Sequence, residues 1–145
     1  MTVQTSSPSA PASLPSAGAG NGKGLLWTGR ILSVLPALLL LFSATMKLMH
    51  GPQIVEGFAK FGFKEGVIAG IGVTEILCTL LYAIPQTSVL GAILLTGYLG
   101  GAVVTHLRIG ESFGPPVLVG VLLWAGLFLR DRRLRALLPL RRLPE

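Results

Sequence analysis

The sequence has very little charge. Only 12% of its 145 residues are Asp, Glu, Lys or Arg, whereas 51% are hydrophobic. The mean hydropathy of +0.71 corresponds to more apolar surface than a water-soluble domain of this size can bury. The scarcity of charge therefore argues against a soluble enzyme and favours a protein embedded in lipid.

Cysteine is scarcer still, with Cys78 as the single copy. One cysteine cannot form a disulfide within the chain, and it cannot supply the Cys-x-x-Cys pair of a dithiol enzyme. Its position in an apolar segment is typical of a small packed side chain. A self-contained thiol-redox reaction is therefore not expected.

Acidic residues number six against twelve basic ones, which gives a formal net charge of +6. Such a balance also occurs in nucleic-acid-binding proteins, but half of the basic residues here lie between Arg130 and Arg142, after the last apolar segment. This placement is typical of charge that flanks a membrane span, and contact with anionic lipid or a partner is the alternative interpretation. We predict contact with the lipid bilayer and none with nucleic acid.

Four apolar segments follow residue 22. They cover about residues 25–49, 66–84, 89–107 and 116–130. Each is near the ~20 residues that an α-helix needs to cross a bilayer. The fourth is short, and we expect it to extend toward Arg135 with arginines reaching the headgroups. Because residues 85–88 (PQTS) form only a tight turn, the second and third helices must be antiparallel neighbours.

The predicted fold is thus all-α, a bundle of four transmembrane helices. A short interfacial helix is expected between the first two spans, because apolar residues recur at helical spacing from Ile54 to Phe61, opposite Glu56 and Lys60. Residues 1–22 consist almost entirely of small and polar residues and Pro, which predicts a disordered tail. The membrane domain is predicted to cover residues 23–135, and residues 136–145 form a basic tail.

The basic residues predict the orientation. If both termini lie on one side, that side holds eight Lys and Arg residues and the opposite side holds four. Lys and Arg are concentrated in cytoplasmic segments of membrane proteins. We therefore predict a multi-pass protein with both termini in the cytoplasm.

Two pairs of glycines spaced four apart mark the second and third spans. They are Gly66 with Gly70, and Gly97 with Gly101. Small residues at this spacing let helix backbones approach closely in lipid. Helix packing within the chain is the preferred interpretation, and a homodimer interface is the alternative.

Polar residues inside the spans mark a candidate site. Glu75 lies near the middle of the second span, where a carboxylate must be protonated, paired or next to water. Gly72, Thr79 and Tyr82 share its helix face at three-four spacing, so this stripe should face the bundle interior. The candidate polar site lies in the outer half of the bundle and comprises Lys47, Glu75, Tyr98, Thr105, His106 and Arg108.

Lys47 and Glu75 have two interpretations. In the structural one, they form a neutralising ion pair that fixes helix register. In the functional one, Glu75 relays protons to a lipophilic ligand such as a quinone, with Lys47, Tyr98 or His106 as hydrogen-bond partners. Haem ligation by His50 and His106 is disfavoured because both lie near one membrane face, and no metal site is predicted.

Several motifs resemble a known family. They are residues 43–48 (SATMKL), 51–58 (GPQIVEGF), 62–63 (GF), Glu75, 95–106 (LTGYLGGAVVTH) and 123–131 (LWAGLFLRD). Together they resemble the DoxX-like family of small bacterial integral membrane proteins over nearly the whole chain after the tail. The resemblance implies a four-helix fold in the bacterial cytoplasmic (inner) membrane.

The resemblance also bears on activity. The family name comes from a membrane subunit of a thiosulfate–quinone oxidoreductase, and other relatives are linked to oxidant or thiol stress through partner proteins. We therefore predict a non-catalytic membrane subunit or organiser of a partner system, with homo-oligomerisation left open. The alternative is a quinone-linked oxidoreductase component with a ligand site in the outer half of the bundle. Proton-coupled transport is disfavoured because neither internal repeats nor broken helices are visible.

Overall fold

The computed structural model describes residues 21–137, which form six α-helices and no strand. The helices are α1 (Asn21–Leu48), α2 (Pro52–Lys60), α3 (Glu65–Ala83), α4 (Ser88–Arg108), α5 (Gly114–Arg130) and α6 (Arg132–Leu137). The all-α prediction is confirmed. Residues 1–20 of the predicted amino-terminal tail and 138–145 of the carboxy-terminal tail lie outside the described residues.

Four of these helices coincide with the four apolar segments of the sequence. The predicted boundaries differ from those of α1, α3, α4 and α5 by at most four residues. Three helices, α1, α3 and α4, are long and apolar enough to cross a membrane. The apolar helix α5 is shorter, at 17 residues.

The expected extension of the fourth span to Arg135 is wrong. Helix α5 ends at Arg130 because Asp131 adopts an extended backbone, with φ −102° and ψ 108°. The Asp131 carboxylate then accepts a hydrogen bond from the backbone N–H of Arg133 at 2.8 Å. This contact caps the start of α6, so the arginines lie on a separate short helix.

The short helix predicted after the first span is present as α2. It begins with Pro52, which suits the first helical turn because its missing N–H would have no partner there. It ends at Lys60, and Gly62 follows two residues later with a φ of +81°, in the left-handed region that favours glycine. The N–H of Phe63 donates to the Phe58 carbonyl at 3.0 Å and that of Gly62 to Ala59 at 2.9 Å, the bond pattern of a Schellman C-cap.

Helices α1, α3, α4 and α5 form one packed group, called the bundle below. Helix α1 packs against α3 and α5, and α4 packs against the same two helices. Leucines fill the core from three sides, with Leu40 on α1, Leu95 on α4, and Leu123 and Leu127 on α5. Helices α3 and α4, and likewise α4 and α5, are joined by short connections and therefore pack as neighbours, whereas α1 and α5 are distant in sequence.

The outside of the bundle is apolar. On α1 alone, large hydrophobic side chains stay exposed at Ile31, Leu35, Leu38, Leu39 and Phe42. Contiguous apolar surface of this extent is unfavourable in water but favourable against lipid tails. With the three span-length helices, this surface identifies a multi-pass membrane protein in contact with the bilayer.

The bundle has two ends. The arginine end contains the turn at residues 84–87 and Arg130. The loop end contains residues 49–64 and 109–113. The tight turn predicted between the second and third spans is confirmed, and Thr87 stabilises it by donating its hydroxyl hydrogen bond to the Leu81 carbonyl at 2.8 Å.

Three glycines make the closest helix contacts. A Cβ added to Gly91 on α4 would overlap the backbone of Tyr82 on α3. A Cβ added to Gly126 on α5 would lie 2.7 Å from the backbone nitrogen of Ser33 on α1. A Cβ on Gly29 would lie 2.8 Å from the backbone nitrogen of Arg130. Since backbone atoms cannot move aside as a side-chain tip can, these positions require glycine.

The predicted glycine pairs make no such contact. A Cβ added to Gly66, Gly70, Gly97 or Gly101 would meet no described atom within 4 Å. The prediction that they pack helices within the chain is wrong, because other faces of α3 and α4 turn toward the core. On α4, the buried residues are Ser88, Gly91, Ala92, Leu95 and Leu99. The homodimer alternative stays a prediction.

Candidate functional site

Helix α3 carries a polar stripe into the core. Its members Gly72, Glu75, Thr79 and Tyr82 are all buried, and Glu75 is only 1% exposed. They recur at three-four spacing and therefore share one face of the helix. The sequence-based prediction that this stripe faces the bundle interior is confirmed.

Lys47 on α1 pairs with Glu75. The Lys47 Nζ lies 2.8 Å from Glu75 Oε2, and the two side chains are 12% and 2% exposed. The same Nζ donates to Ser43 Oγ at 2.6 Å, one helical turn earlier on α1. Each charge compensates the burial of the other, since either one alone would lose its hydration without a partner.

Gly72 allows the two helices to approach at this point. A Cβ there would lie 3.2 Å from both the Ala44 carbonyl oxygen and Lys47 Cβ. Because Gly72 precedes Glu75 by about one turn, the missing side chain brings the lysine stem within reach of the carboxylate. Lys47 also lies in the last turn of α1, where a positive charge interacts favourably with the helix dipole.

Tyr98 on α4 is the third member of this group. Its side chain packs against the core and lies close enough to Glu75 to interact with the carboxylate electrostatically. Thr79 does not compete for that carboxylate, because its hydroxyl donates to the Glu75 backbone carbonyl at 2.7 Å. We call Ser43, Lys47, Glu75 and Tyr98 the Lys47–Glu75 cluster.

The other predicted site residues lie toward the loop end. The His106 ring packs edge-on against Phe61, with 4.9 Å between ring centroids. His106 Nδ1 lies 3.3 Å from Glu111 Oε2, in a contact that is not aligned as a hydrogen bond. His106 therefore contacts the segment after α2 and the loop after α4.

Thr105 and Arg108 do not join the cluster either. The Thr105 hydroxyl donates to the Gly101 carbonyl of its own helix at 2.8 Å, and Arg108 is exposed. Within residues 21–137, no hydrogen bond or ion pair links Thr105, His106 or Arg108 to Glu75. The structure brings together Lys47, Glu75 and Tyr98, and it separates them from the rest of the predicted site.

Sequence reasoning missed a second buried polar contact on α3. The Tyr82 Oη lies 2.8 Å from the Leu123 carbonyl oxygen of α5 and 3.0 Å from Ser33 Oγ of α1. A phenol has one proton, so Tyr82 donates to Leu123 while the Ser33 hydroxyl can donate to Tyr82. The available signal was the spacing of Ser33, Pro36 and Leu40, which places all three on the buried face of α1.

Two cavities lie elsewhere. A groove of about 640 Å³ runs between α4 and α5 and is lined almost entirely by apolar atoms. Two of its polar side chains form a hydrogen bond with each other, in which Trp124 Nε1 donates to Thr96 Oγ1 at 2.8 Å. A second cavity of about 390 Å³ opens at the arginine end. No member of the Lys47–Glu75 cluster lines either cavity.

The described side chains also bear on metal binding. Among them, no three His, Cys, Asp or Glu residues come together in a group that could hold a metal ion. Cys78 is a buried free thiol packed in the core. The chemistry available to the cluster is therefore that of one ammonium, one carboxylate and two hydroxyls.

Comparison with known proteins identifies the family of this chain. The model of the DoxX-like family matches residues 31–127, from within α1 to near the end of α5. Neither the curated proteins nor the solved structures contain a match. The matched segment covers more than half of the chain and includes Lys47, Glu75 and Tyr98. The chain therefore belongs to the DoxX-like family.

Proposed function

We propose that this DoxX-like protein is a non-catalytic membrane subunit or organiser that acts with protein partners, and that Lys47 and Glu75 hold its helices in register. The observation that carries the proposal is the closed ion pair. Lys47 Nζ contacts Glu75 Oε2 at 2.8 Å and Ser43 Oγ at 2.6 Å, and Glu75 is almost fully buried. A pair with these contacts links α1 to α3 without any further ligand.

The proposal includes four membrane crossings, with the arginine end in the cytoplasm. Helix α5 has 17 residues, or about 25 Å at 1.5 Å per residue, against a hydrocarbon core of about 30 Å. Arg130 at its end can reach the headgroups and make up the difference. The excess of basic residues at the arginine end supports its placement in the cytoplasm of a bacterial cell.

Reporter fusions test this topology. A fusion after Gln86, in the turn at the arginine end, should report the cytoplasm. A matched fusion after Ser112, in the loop at the opposite end, should report the other side of the membrane. The same location for both fusions would contradict four crossings.

A quinone-linked role is the second candidate. It is favoured by Tyr98, whose side chain packs against the core, and by the third ammonium proton of Lys47, because a quinone carbonyl could accept a hydrogen bond from either group. Neither of the two cavities described above is lined by residues of the Lys47–Glu75 cluster. The closed ion pair supports the non-catalytic role, because its contacts are complete without a ligand.

A double-mutant cycle distinguishes the two candidates. Lys47→Met and Glu75→Gln should each lower the free energy of unfolding in mild detergent, because each leaves a buried group without its partner. The double variant should recover much of that loss. The exposed Lys60 on α2 provides the matched control, and Lys60→Met should leave stability unchanged.

Bound quinone is the second readout of the cycle. Under the proposal, the amount of quinone that copurifies should be the same for all four proteins. If Glu75→Gln keeps the stability but loses bound quinone, and Lys47→Met does not restore it, the quinone-linked role replaces the proposal.

Crosslinking in the native membrane should also join the protein to a redox or stress-response protein. Recovery of the chain alone with stoichiometric quinone would contradict the organiser role.

A further inference from the structure

A cavity at the arginine end gathers residues from four separate segments. Leu26 and Arg30 come from α1, Pro85 and Ser88 from the turn before α4 and its first residue, and Leu127 with Arg130 from α5. Asp131 and Arg133 complete the lining. The volume of about 390 Å³ is within the range of small-ligand sites in proteins. We call this cavity the arginine pocket.

Two of its three guanidinium groups are held in place by aromatic rings. Arg130 Nη2 donates to the Tyr82 carbonyl at 3.1 Å, and its guanidinium carbon lies 5.0 Å from the centre of the Tyr82 ring. The Arg30 guanidinium carbon lies 5.6 Å from the Trp27 ring. Contacts of this kind restrict the side chains while leaving most N–H donors available.

Among residues 21–137, no carboxylate forms an ion pair with these arginines. Asp131 is the acidic residue of the pocket lining, but its Oδ1 accepts the backbone N–H groups of Arg133 at 2.8 Å and Leu134 at 3.4 Å. Within residues 21–137, Arg30, Arg130 and Arg133 form no salt bridge. With three positive charges and one negative charge, the pocket has a net charge of +2 from its lining residues.

We propose that the arginine pocket binds a phosphate group. Guanidinium groups present planar pairs of N–H donors that match phosphate oxygens, and three of them converge here from α1, α5 and α6. A phosphate supplies the negative charge that the pocket lacks. This proposal does not depend on the role of the Lys47–Glu75 cluster, which lies nearer the opposite end.

The phosphate has two chemical sources, an anionic phospholipid headgroup and a soluble phosphate ester. The position of the pocket favours the lipid. Leu26 and Leu127 line it beside the arginines, and Trp27, whose side chain is exposed, lies next to Arg30 at the end of a span-length helix. Aromatic residues at helix ends and basic residues beside them are typical of the headgroup region of a membrane.

The test uses the full chain in mild detergent and native mass spectrometry. The probes are phosphatidylglycerol, phosphatidylcholine and glycerol 1-phosphate. We expect one phosphatidylglycerol to bind about tenfold more tightly than phosphatidylcholine, because the choline ammonium of phosphatidylcholine offsets the negative charge of its phosphate and is repelled by a pocket with a net charge of +2. Binding of phosphatidylglycerol that glycerol 1-phosphate does not displace identifies the lipid as the source. Tight binding of glycerol 1-phosphate alone identifies a soluble ester.

Variants locate the site. Arg30→Gln and Arg133→Gln should each weaken phosphatidylglycerol binding by about tenfold. Arg132→Gln removes the same charge from the neighbouring exposed position, which is not part of the pocket lining, and should leave binding unchanged. Arg30 and Arg133 are both exposed, so their replacement should preserve the melting temperature. Equal binding of the two lipids with no bound ester, or equal weakening by Arg132→Gln and Arg133→Gln, would overturn the proposal.

Discussion

Helix α3 makes two buried polar contacts about two turns apart, and they are built differently. At Glu75 the contact is ionic, and both charges come from side chains, with Lys47 Nζ 2.8 Å away. At Tyr82 the contact is neutral, and its closest acceptor is the Leu123 backbone carbonyl at 2.8 Å. The ionic contact depends on two residues whose charges must remain matched. The neutral contact depends on the Tyr82 hydroxyl and on α3 and α5 lying close enough for it to donate to the Leu123 carbonyl.

The largest effect is expected from breaking the ionic contact. Lys47→Met leaves Glu75 buried without its counter-charge, which should lower the free energy of unfolding by about 3–5 kcal/mol. The measurement is equilibrium unfolding in mixed micelles. A loss smaller than that caused by Tyr82→Phe would show that the ionic contact is the less important of the two.

The second-largest loss of stability is expected when the close packing beside the neutral contact is disturbed. Gly91→Ala places a methyl group against the Tyr82 backbone, and overpacking of this kind should cost about 1–3 kcal/mol of stability. Gly97→Ala on the same helix is the matched control, because its added Cβ meets no described atom within 4 Å. Equal stability of the two variants in thermal denaturation would mean that α3 and α4 do not pack as described.

Removing the neutral contact itself should have a moderate effect. Tyr82→Phe deletes the donor to the Leu123 carbonyl and should destabilise the protein by about 1–2 kcal/mol. Ser33→Ala should cost less, because Tyr82 keeps its backbone acceptor. If Ser33→Ala proved the more damaging change, the main hydrogen bond of Tyr82 would be the one to Ser33.

The smallest effect is expected on the outer face of α4. Gly101→Leu adds a large apolar side chain where no described atom of the chain lies within 4 Å, so the stability of the monomer should change by less than about 0.5 kcal/mol. Unfolding at low protein concentration checks this expectation. If Gly101→Leu is less stable than the unchanged protein, and the difference grows with protein concentration, the result would instead support a homodimer interface at the face of Gly97 and Gly101.

Much of the ionic contact could be predicted from the sequence. A carboxylate in the middle of an apolar span needs a partner, and Lys47 on the preceding span was the predicted one. The turn at residues 85–88 and the buried stripe of α3 also followed from local pattern. Thr105, His106 and Arg108 were wrongly grouped with Glu75, because nearness to one membrane face does not decide which side chains meet.

The sequence by itself determined the number and approximate ends of the apolar helices, the buried stripe of α3 and membership of the DoxX-like family. Only the tertiary structure decided how each helix is rotated about its axis. In water the apolar face of a helix marks the core, but in lipid both the core and the outer surface are apolar. Hydropathy therefore could not distinguish Gly91 and Gly126, which contact neighbouring backbones, from Gly97 and Gly101, which do not. The same rotation brings Arg30, Arg130 and Arg133 around one pocket.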